Sequence, residues 1–328
     1  MRVVSISSPG DSSVLRWTEA EDPAPGPGEL LLEVAAAGVN RADLLQREGR
    51  YPPPAGAPEW PGLEVSGRVL AVGPGATRFG PGDAVCALLP GGGYAERVVV
   101  HESLALPVPD GVSLRDAAAL PEAAATAWSN LVDVARLRPG ESVLVHGGSG
   151  GVGSFAVQLA SALGARVLAT ARDGARCARV RGLGADVAIG YADDDVPAAV
   201  LRATGSRGVD VVLDVLGAGA LDANLRCLAP DGRLVVIGLQ RGRRAELDLG
   251  LVLARRLTVA GTTLRSRDLA ARAAIVAALR EHVWPLLASG RVRPVVHAAL
   301  PMDRAGEAHD LLDSGEVLGK LVLVPPTA

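Results

Sequence analysis

Apolar positions recur along this chain with two different periods, and the change between them falls near residue 121. Before it the pattern is one of short alternating runs: Arg2–Ile6, Val14–Trp17, Leu30–Val34, Leu63–Val72, Asp83–Leu89 and Tyr94–Val100. Gly/Pro clusters such as PAPGPGE (23–29) and GPGATRFGPGD (73–83) separate them. Period-two runs with turn formers between them predict the strands of a compact, barrel-like β domain. One helix is expected inside it, Asn40–Glu48, with Leu44 and Leu45 on one side and Asn40 as its N-cap. The segment YPPPAGAPEWPG (51–62) holds too many prolines for regular structure and predicts an irregular, ordered loop.

After Pro121 the texture changes. Glu122–Ala135 is Ala-rich and helical. Strands and helices then alternate, with strands at Val143–His146, Val167–Thr170, Val187–Ile189, Val209–Asp214, Arg233–Ile237 and Leu257–Ala260. That alternation predicts an α/β fold with a six-strand, doubly wound parallel sheet. A long helix (Asp268–Ala288), a strand (Val295–Ala298), a helix (Asp303–Asp313) and a last strand (Leu318–Val324) are expected to rejoin the first domain. The domain assignment is therefore residues 1–121 with 265–328, and residues 122–264.

Within the second region, residues 141–165 read ESVLVHGGSGGVGSFAVQLASALGA. A fully apolar strand leads into Gly147, Gly148, Gly150, Gly151 and Gly153, and an apolar helical face follows, closed by Gly164. The motif reads as Gly148-x-Gly150-x-x-Gly153 or, one register earlier, as Gly147-x-x-Gly150-x-x-Gly153. Strand, glycine turn and helix in this order form a dinucleotide seat. The turn bends sharply, its backbone approaches a diphosphate, and the helix start offers free N–H groups around Gly151, Val152 and Gly153. The part Ser142–Ala165 is uncharged and long enough to span a bilayer, but its glycines and the alternating elements after it favour a buried βα unit.

Composition narrows the function classes. A net charge of −3 gives no electrostatic reason for nucleic-acid or anionic-membrane binding, so neither partner is expected. Three scattered cysteines (Cys86, Cys177, Cys227) make neither a disulfide framework nor a four-thiolate zinc site. The opening MRVVSISSPGD has no apolar signal core, and a cytoplasmic location is expected. Lys320 is the only lysine. The histidines (101, 146, 282, 297 and 309) show no metal-ligand spacing, and His146 at a strand end reads as a packed neutral imidazole.

Several blocks carry a family resemblance: GVNRADLLQREGRYPPP (38–54), GLEVSGRV (62–69), GDAVCALLPGGGYAE (82–96), VLVHGGSGGVG (143–153), GTTLRSRD (261–268) and GKLVL (319–323). With these the chain resembles, nearly end to end, the zinc-independent NADPH:quinone oxidoreductases of the medium-chain dehydrogenase/reductase superfamily, in the tumour-suppressor-inducible subgroup. The resemblance implies a GroES-like catalytic domain, a Rossmann domain and NADPH as hydride donor. Zinc-dependent relatives place a cysteine at Asn40 and a histidine at Leu63, with a third ligand near 122–125, where this chain has no Cys or His. An amide and an alkyl chain cannot hold a tetrahedral zinc, so no metal is expected.

Cofactor choice is read at the end of the second strand, where NAD-preferring folds carry a carboxylate for the ribose hydroxyls. Here Ala171 is followed by Arg172, with Arg176 one turn on, and Arg176 aligns with a lysine that contacts the 2′-phosphate in similar enzymes. Two guanidiniums without a carboxylate favour NADPH; Asp173 lies past the usual position and reads as a helix cap. The resemblance adds Tyr191, Gly217, Gly238, Leu239, Leu264, Arg265, Ser266, Thr126 and Lys320 as cofactor contacts. Thr126 reads equally well as a helix hydroxyl bonding its own backbone.

Quinone reduction needs little acid–base apparatus beyond positioning and exclusion of water. Asn40, Asp43 and Tyr51 lie in the blocks that line the acceptor site of similar enzymes. Tyr51 and Asn40 are candidate donors to an acceptor oxygen as charge develops. Asn40 alternatively only caps its helix, and Asp43 alternatively pairs with Arg41 or Arg47. The expected function is NADPH-dependent quinone reduction. The alternatives are reduction of an activated C=C bond, with Tyr51 as proton donor, and a cofactor-binding protein with little turnover. The apolar segment RRLTVAGTT (255–263) is expected as an open sheet edge, covered in a homodimer or a dimer of dimers.

Overall fold

The computed structural model describes residues 1–192 and 194–326. The chain divides into two compact units: a central one, Thr126–Thr263, and a terminal one made of Met1–Ala125 and Leu264–Ala328.

The central unit is built on six parallel strands, Ser142–Val145, Arg166–Ala171, Val187–Gly190, Val209–Asp214, Leu228–Val236 and Thr258–Gly261. Their spatial order is third, second, first, fourth, fifth, sixth, so the winding reverses between the first and fourth strands, as the alternating pattern predicts. Every residue of Ser142–Val145 and of Val209–Asp214 is buried, which explains the apolar runs Val143–Val145 and Val211–Leu213 at their centres. Helices Gly174–Arg181, Val196–Ala203 and Leu249–Arg255 start at Asp173, Asp195 and Asp248, whose carboxylates each accept the N3 backbone N–H. The fifth strand begins five residues before its expected start: Leu228 already stands opposite Val209, and the register then shifts to Arg233 opposite Val211 across a bulge in which Asp231 takes a left-handed φ of 62°.

In the terminal unit the eleven-residue strand Glu29–Val39 is the spine. Along one edge it pairs antiparallel with Glu64–Val72; along the other, Arg97–His101 takes residues 29–33 and Lys320–Val324 takes residues 37–39. Two register shifts against Glu64–Val72 bend it so that it serves three partners. The return of the last strand to the first domain, expected from the sequence, thus sets Leu321 opposite Val39 and Lys320 beside Asn40. The long helix expected over 268–288 is broken into Leu269–Ala278, a π-turn Leu279–Val283 and Trp284–Ala288. Pro285 is the cause, since it has no N–H to give and its ring displaces the carbonyl four residues back. The proline-rich segment 51–62 has no regular structure, and Gln46 Nε2 (to Glu59 O, 2.7 Å) and Trp60 Nε1 (to Gly92 O, 2.9 Å) fasten it.

Candidate functional site

The glycine turn of the central unit is fixed by its own strand neighbours. Gly147 has φ 66°, and its N–H donates to Thr170 Oγ1 at 3.1 Å, while Gly148 N–H donates to Thr170 O at 2.8 Å. A Cβ at Gly148 would lie 2.9 Å from Ala169 Cβ, and one at Gly153 would be driven into the Gly147 carbonyl. Gly150 caps the helix Gly151–Ala162, whose first backbone bond is Ser154 N–H to Gly150 O at 2.8 Å. The N–H groups of Gly151, Val152 and Gly153 precede that bond, so they and the positive end of a twelve-residue helix form an anion seat. His146 is buried beside it, its ring nitrogens at 3.2 Å from Thr170 Oγ1 and 2.7 Å from Asn224 Oδ1, and burial holds its pKa down. It is the packed imidazole expected.

At the end of the second strand Ala171 is buried and Arg172 and Arg176 are half-buried. The carboxylate of Asp173 accepts Arg176 N–H at 2.9 Å and lies 3.7 Å from Arg176 Nε; it is a helix cap. Tyr191 donates its N–H to Ala171 O at 3.0 Å and exposes its ring. Gly217 (φ 76°) and Leu216 both donate to the Asp214 carboxylate, at 2.8 and 2.9 Å. Gly238 packs on Val215, and Leu239 is exposed. Thr126 gives its carbonyl to Asn130 Nδ2 at 2.8 Å, and Asn130 Oδ1 accepts from Thr262 at 2.6 Å. These groups fit a dinucleotide: backbone donors for a diphosphate, an exposed ring for a base, and two guanidiniums at the ribose position with the nearby carboxylate already spent.

The other predicted residues gather in the terminal unit, and there the structure corrects three roles. Lys320, only 4% exposed, gives its ammonium to Glu64 Oε1 (2.6 Å), Asn40 Oδ1 (2.6 Å) and Val39 O (3.0 Å). All three of its hydrogens are spent, so it is no cofactor contact but the counter-ion of a buried carboxylate. Asn40 is the N-cap of the helix Arg41–Arg47, as expected, with its N–H donating to Asp43 Oδ2 at 2.8 Å, but its side-chain amide is committed elsewhere: it bridges Lys320 to Glu64 Oε1, with Nδ2–Oε1 at 2.9 Å. Asp43 is fully buried and pairs with neither Arg41 nor Arg47, whose acidic partners are Asp313 and Glu48. Its oxygens accept from Asn40 N (2.8 Å), Gly62 N (3.0 Å) and the Tyr94 hydroxyl (3.1 Å), so it ties the end of the proline-rich loop rather than touching an acceptor. Burial lifts its pKa to about 6 despite those donors. Arg265 reaches Pro90 O (2.6 Å), Gln46 Oε1 (2.8 Å) and Tyr51 O (3.4 Å), so its side chain straps three segments of the terminal unit together. Leu264 is buried and Ser266 exposed.

Tyr51 remains partly exposed, with the Arg265 guanidinium 5.3 Å from its ring centre, and burial raises its pKa. Its hydroxyl has no hydrogen-bond partner among the described residues. Sequence reasoning missed Glu64, Tyr94, His309 and Glu122. One signal was available: a lone lysine opening the apolar run KLVLV demands a buried counter-ion. Tyr94 OH lies 3.3 Å from His309 Nε2, and burial pushes that histidine down to about 3.

Glu122 donates its backbone N–H to Glu64 Oε2 at 2.9 Å, but its own carboxyl has no partner among the described residues. Burial first, then the Glu64 carboxylate, raise its pKa from 4.5 to about 8; Lys320 and Arg265 oppose them, and Asp43 adds to the rise. Between about pH 4.5 and 8 the unfolded chain therefore releases a proton that the folded one keeps, and stability falls as pH rises. Glu122→Gln should remove that fall. Relative to wild type it should gain on the order of 2 kcal/mol between pH 4.5 and 8.5, less than the full shift because the side chain retains some exposure. Urea unfolding followed by tryptophan fluorescence reads this mainly in the terminal unit, which holds Trp17, Trp60 and Trp284 of the four tryptophans. Equal slopes of stability against pH in both proteins would refute the assignment.

Two family models match the chain: the alcohol dehydrogenase GroES-like domain over residues 26–110, and zinc-binding dehydrogenase over residues 151–279. The quinone oxidoreductase of Rattus norvegicus is 33% identical over 99% of this chain and 98% of its own length. The mycocerosic acid synthase-like polyketide synthase of Mycobacterium tuberculosis is 34% identical over 99% of this chain, which spans only 15% of that protein. Among solved structures, the Escherichia coli quinone oxidoreductase complexed with NADPH superposes with a TM-score of 0.89 at 27% identity, covering 99% of this chain and all of the other.

Proposed function

We propose that this chain, which belongs to the medium-chain dehydrogenase/reductase superfamily and to its quinone oxidoreductase-like branch, is an NADPH-dependent, metal-independent quinone oxidoreductase. The observation that carries the cofactor reading is the end of the second strand, where Arg172 and Arg176 stand and the Asp173 carboxylate is occupied as a helix cap. A 2′-phosphate meets two cations there. When bound, NADPH supplies the hydride. The chain's own work is to hold the diphosphate on the N–H groups of 151–153 and to offer the Tyr51 hydroxyl to an acceptor oxygen as it gains negative charge. Leu63, packed in the core, and Asn40, committed to Lys320 and Glu64, leave no metal donor at those two positions. Full-length similarity to quinone oxidoreductases supports the acceptor class.

A second reading, reduction of an activated C=C bond, is favoured by the similarity to a segment of a polyketide synthase. Loss of absorbance at 340 nm separates the two, with NADPH or NADH offered against 1,4-benzoquinone, a polycyclic ortho-quinone and an enone. Quinone-dependent, NADPH-selective loss is expected. Loss with the enone alone moves the function to alkene reduction, and tight NADPH binding without turnover makes it a binding protein. Replacing Arg172 and Arg176 together by Ala should cut the preference for NADPH over NADH by about tenfold or more, with little change for NADH.

A second copy of the chain is the partner we propose. The edge strand Thr258–Gly261 pairs, among the described residues, only with Leu228–Val236, and Val259 on it is 43% exposed. The preceding helix exposes Leu249 (63%) and Leu253 (78%), an apolar edge that water disfavours. Leu253→Asp should convert a dimer into a monomer in sedimentation; an unchanged mass would refute this contact. No helix among the described residues is long and apolar enough to cross a membrane, and a cytoplasmic location belongs to the same proposal.

A further inference from the structure

Arg241 follows the fifth strand of the central unit, in a segment that looks like an ordinary exposed loop but is fastened at every residue. Gln240 N–H donates to Val215 O (3.2 Å) and Arg241 N–H to Leu216 O (2.7 Å). Ala218 N–H donates to Gly242 O (3.0 Å) and Gly219 N–H to Arg241 O (3.0 Å). Two glycines make this approach possible. A Cβ at Gly217 would lie 2.8 Å from Gly242 O, and one at Gly219 would lie 2.8 Å from both Cβ and O of Arg241. The backbone under Arg241 is thus held in place against the turn that follows the fourth strand.

Its side chain points to a definite place. The guanidinium carbon lies 5.9 Å from the centre of the exposed Tyr191 ring, within cation–π range. Its positive charge is also felt at His146, the residue before Gly147, where it opposes protonation of the imidazole. Tyr191 follows the third strand and His146 the first, with the second strand lying between them in the sheet. A cation within reach of both therefore stands over the ends of these strands, where the glycine turn and Thr170 lie. The Arg241 side chain makes no ion pair or hydrogen bond among the described residues. A guanidinium resting on a ring keeps its N–H donors in its own plane, free for an anion.

We infer that Arg241 is a third anion-binding arginine of the central unit, one that contacts the diphosphate of the dinucleotide rather than its 2′-phosphate. The inference rests on the dinucleotide reading above. Arg172 and Arg176 sit at the strand end where the ribose falls and discriminate between NADPH and NADH. Arg241 meets a group common to both and discriminates between neither.

Calorimetric titration of the full chain without cofactor tests this, using NADPH, NADH, ADP-ribose and AMP. Arg241→Gln should weaken NADPH, NADH and ADP-ribose alike, by about tenfold or more, the usual worth of a charge-assisted hydrogen bond. The NADPH-to-NADH ratio should stay as in wild type, and AMP, which keeps only one of the two phosphates, should lose less affinity than ADP-ribose. Arg241→Lys should recover part of the loss by restoring the charge. Because the side chain is exposed, both variants should melt with wild type. Unchanged affinity for ADP-ribose in Arg241→Gln, or a loss confined to NADPH, would overturn the inference and leave the cofactor reading standing. A wild-type chain that binds neither dinucleotide would overturn both.

Discussion

Lys320→Met should lower the stability of the terminal unit by about 3–5 kcal/mol, the cost of leaving a buried charge without its partner. Glu64 is fully buried, and without the lysine its carboxylate would keep only Asn40 Nδ2 and the Glu122 N–H, both at 2.9 Å. Desolvation of that carboxylate is then opposed by two hydrogen bonds and no cation. The double variant Lys320→Met/Glu64→Gln should recover most of the loss, because the amide carries no charge to desolvate. The two singles and the double form a cycle whose coupling energy should be large, since the groups touch at 2.6 Å. Urea unfolding by tryptophan fluorescence provides the numbers. A loss below about 1 kcal/mol for Lys320→Met would mean that water reaches the pair, as it does for surface ion pairs.

Gly153→Ala should abolish measurable dinucleotide binding, a loss of about a hundredfold or more, because the turn cannot make room. The new Cβ is driven into the Gly147 carbonyl, and Gly147 and Gly148 cannot retreat while their N–H groups are bonded to Thr170. Gly150→Ala is the informative contrast. Its Cβ would meet only Gly147 O at 3.4 Å, and its φ of −82° suits any residue. That variant should fold as wild type does and lose affinity only through crowding of the bound diphosphate. Titration of both variants with NADPH, beside their melting curves, separates a turn that is needed to fold from one that is needed to bind. Full affinity in Gly153→Ala would remove the turn from the cofactor site.

The sequence by itself determined the parts whose cause is local. Alternation of apolar and polar residues placed the strands, because side chains of a strand point alternately to its two faces. Short apolar runs on successive residues marked the doubly covered sheet, whose observed order follows from the alternation of strand and helix. Five glycines in seven positions announced the turn, since Gly147 takes a left-handed φ and a Cβ at Gly148 or Gly153 would collide with its neighbours. Asp173 was legible as a cap for the same reason: it bonds within three residues of itself.

What only the tertiary structure decided depends on partners distant in the chain. Glu64 and Lys320 stand 256 positions apart (320 − 64), and nothing near either residue names the other. Once paired they take Asn40 out of contention as a donor, while Gly62 and Tyr94 do the same for Asp43. Arg265 is likewise spent on three acceptors drawn from three segments. Glu122 holds its proton because it is buried, with two other carboxylates near it and the lysine already engaged. Residue type and spacing reveal which groups have chemistry to offer. Whether a group is still free to offer it is settled by burial and by the competition for hydrogen bonds, and both are properties of the folded chain.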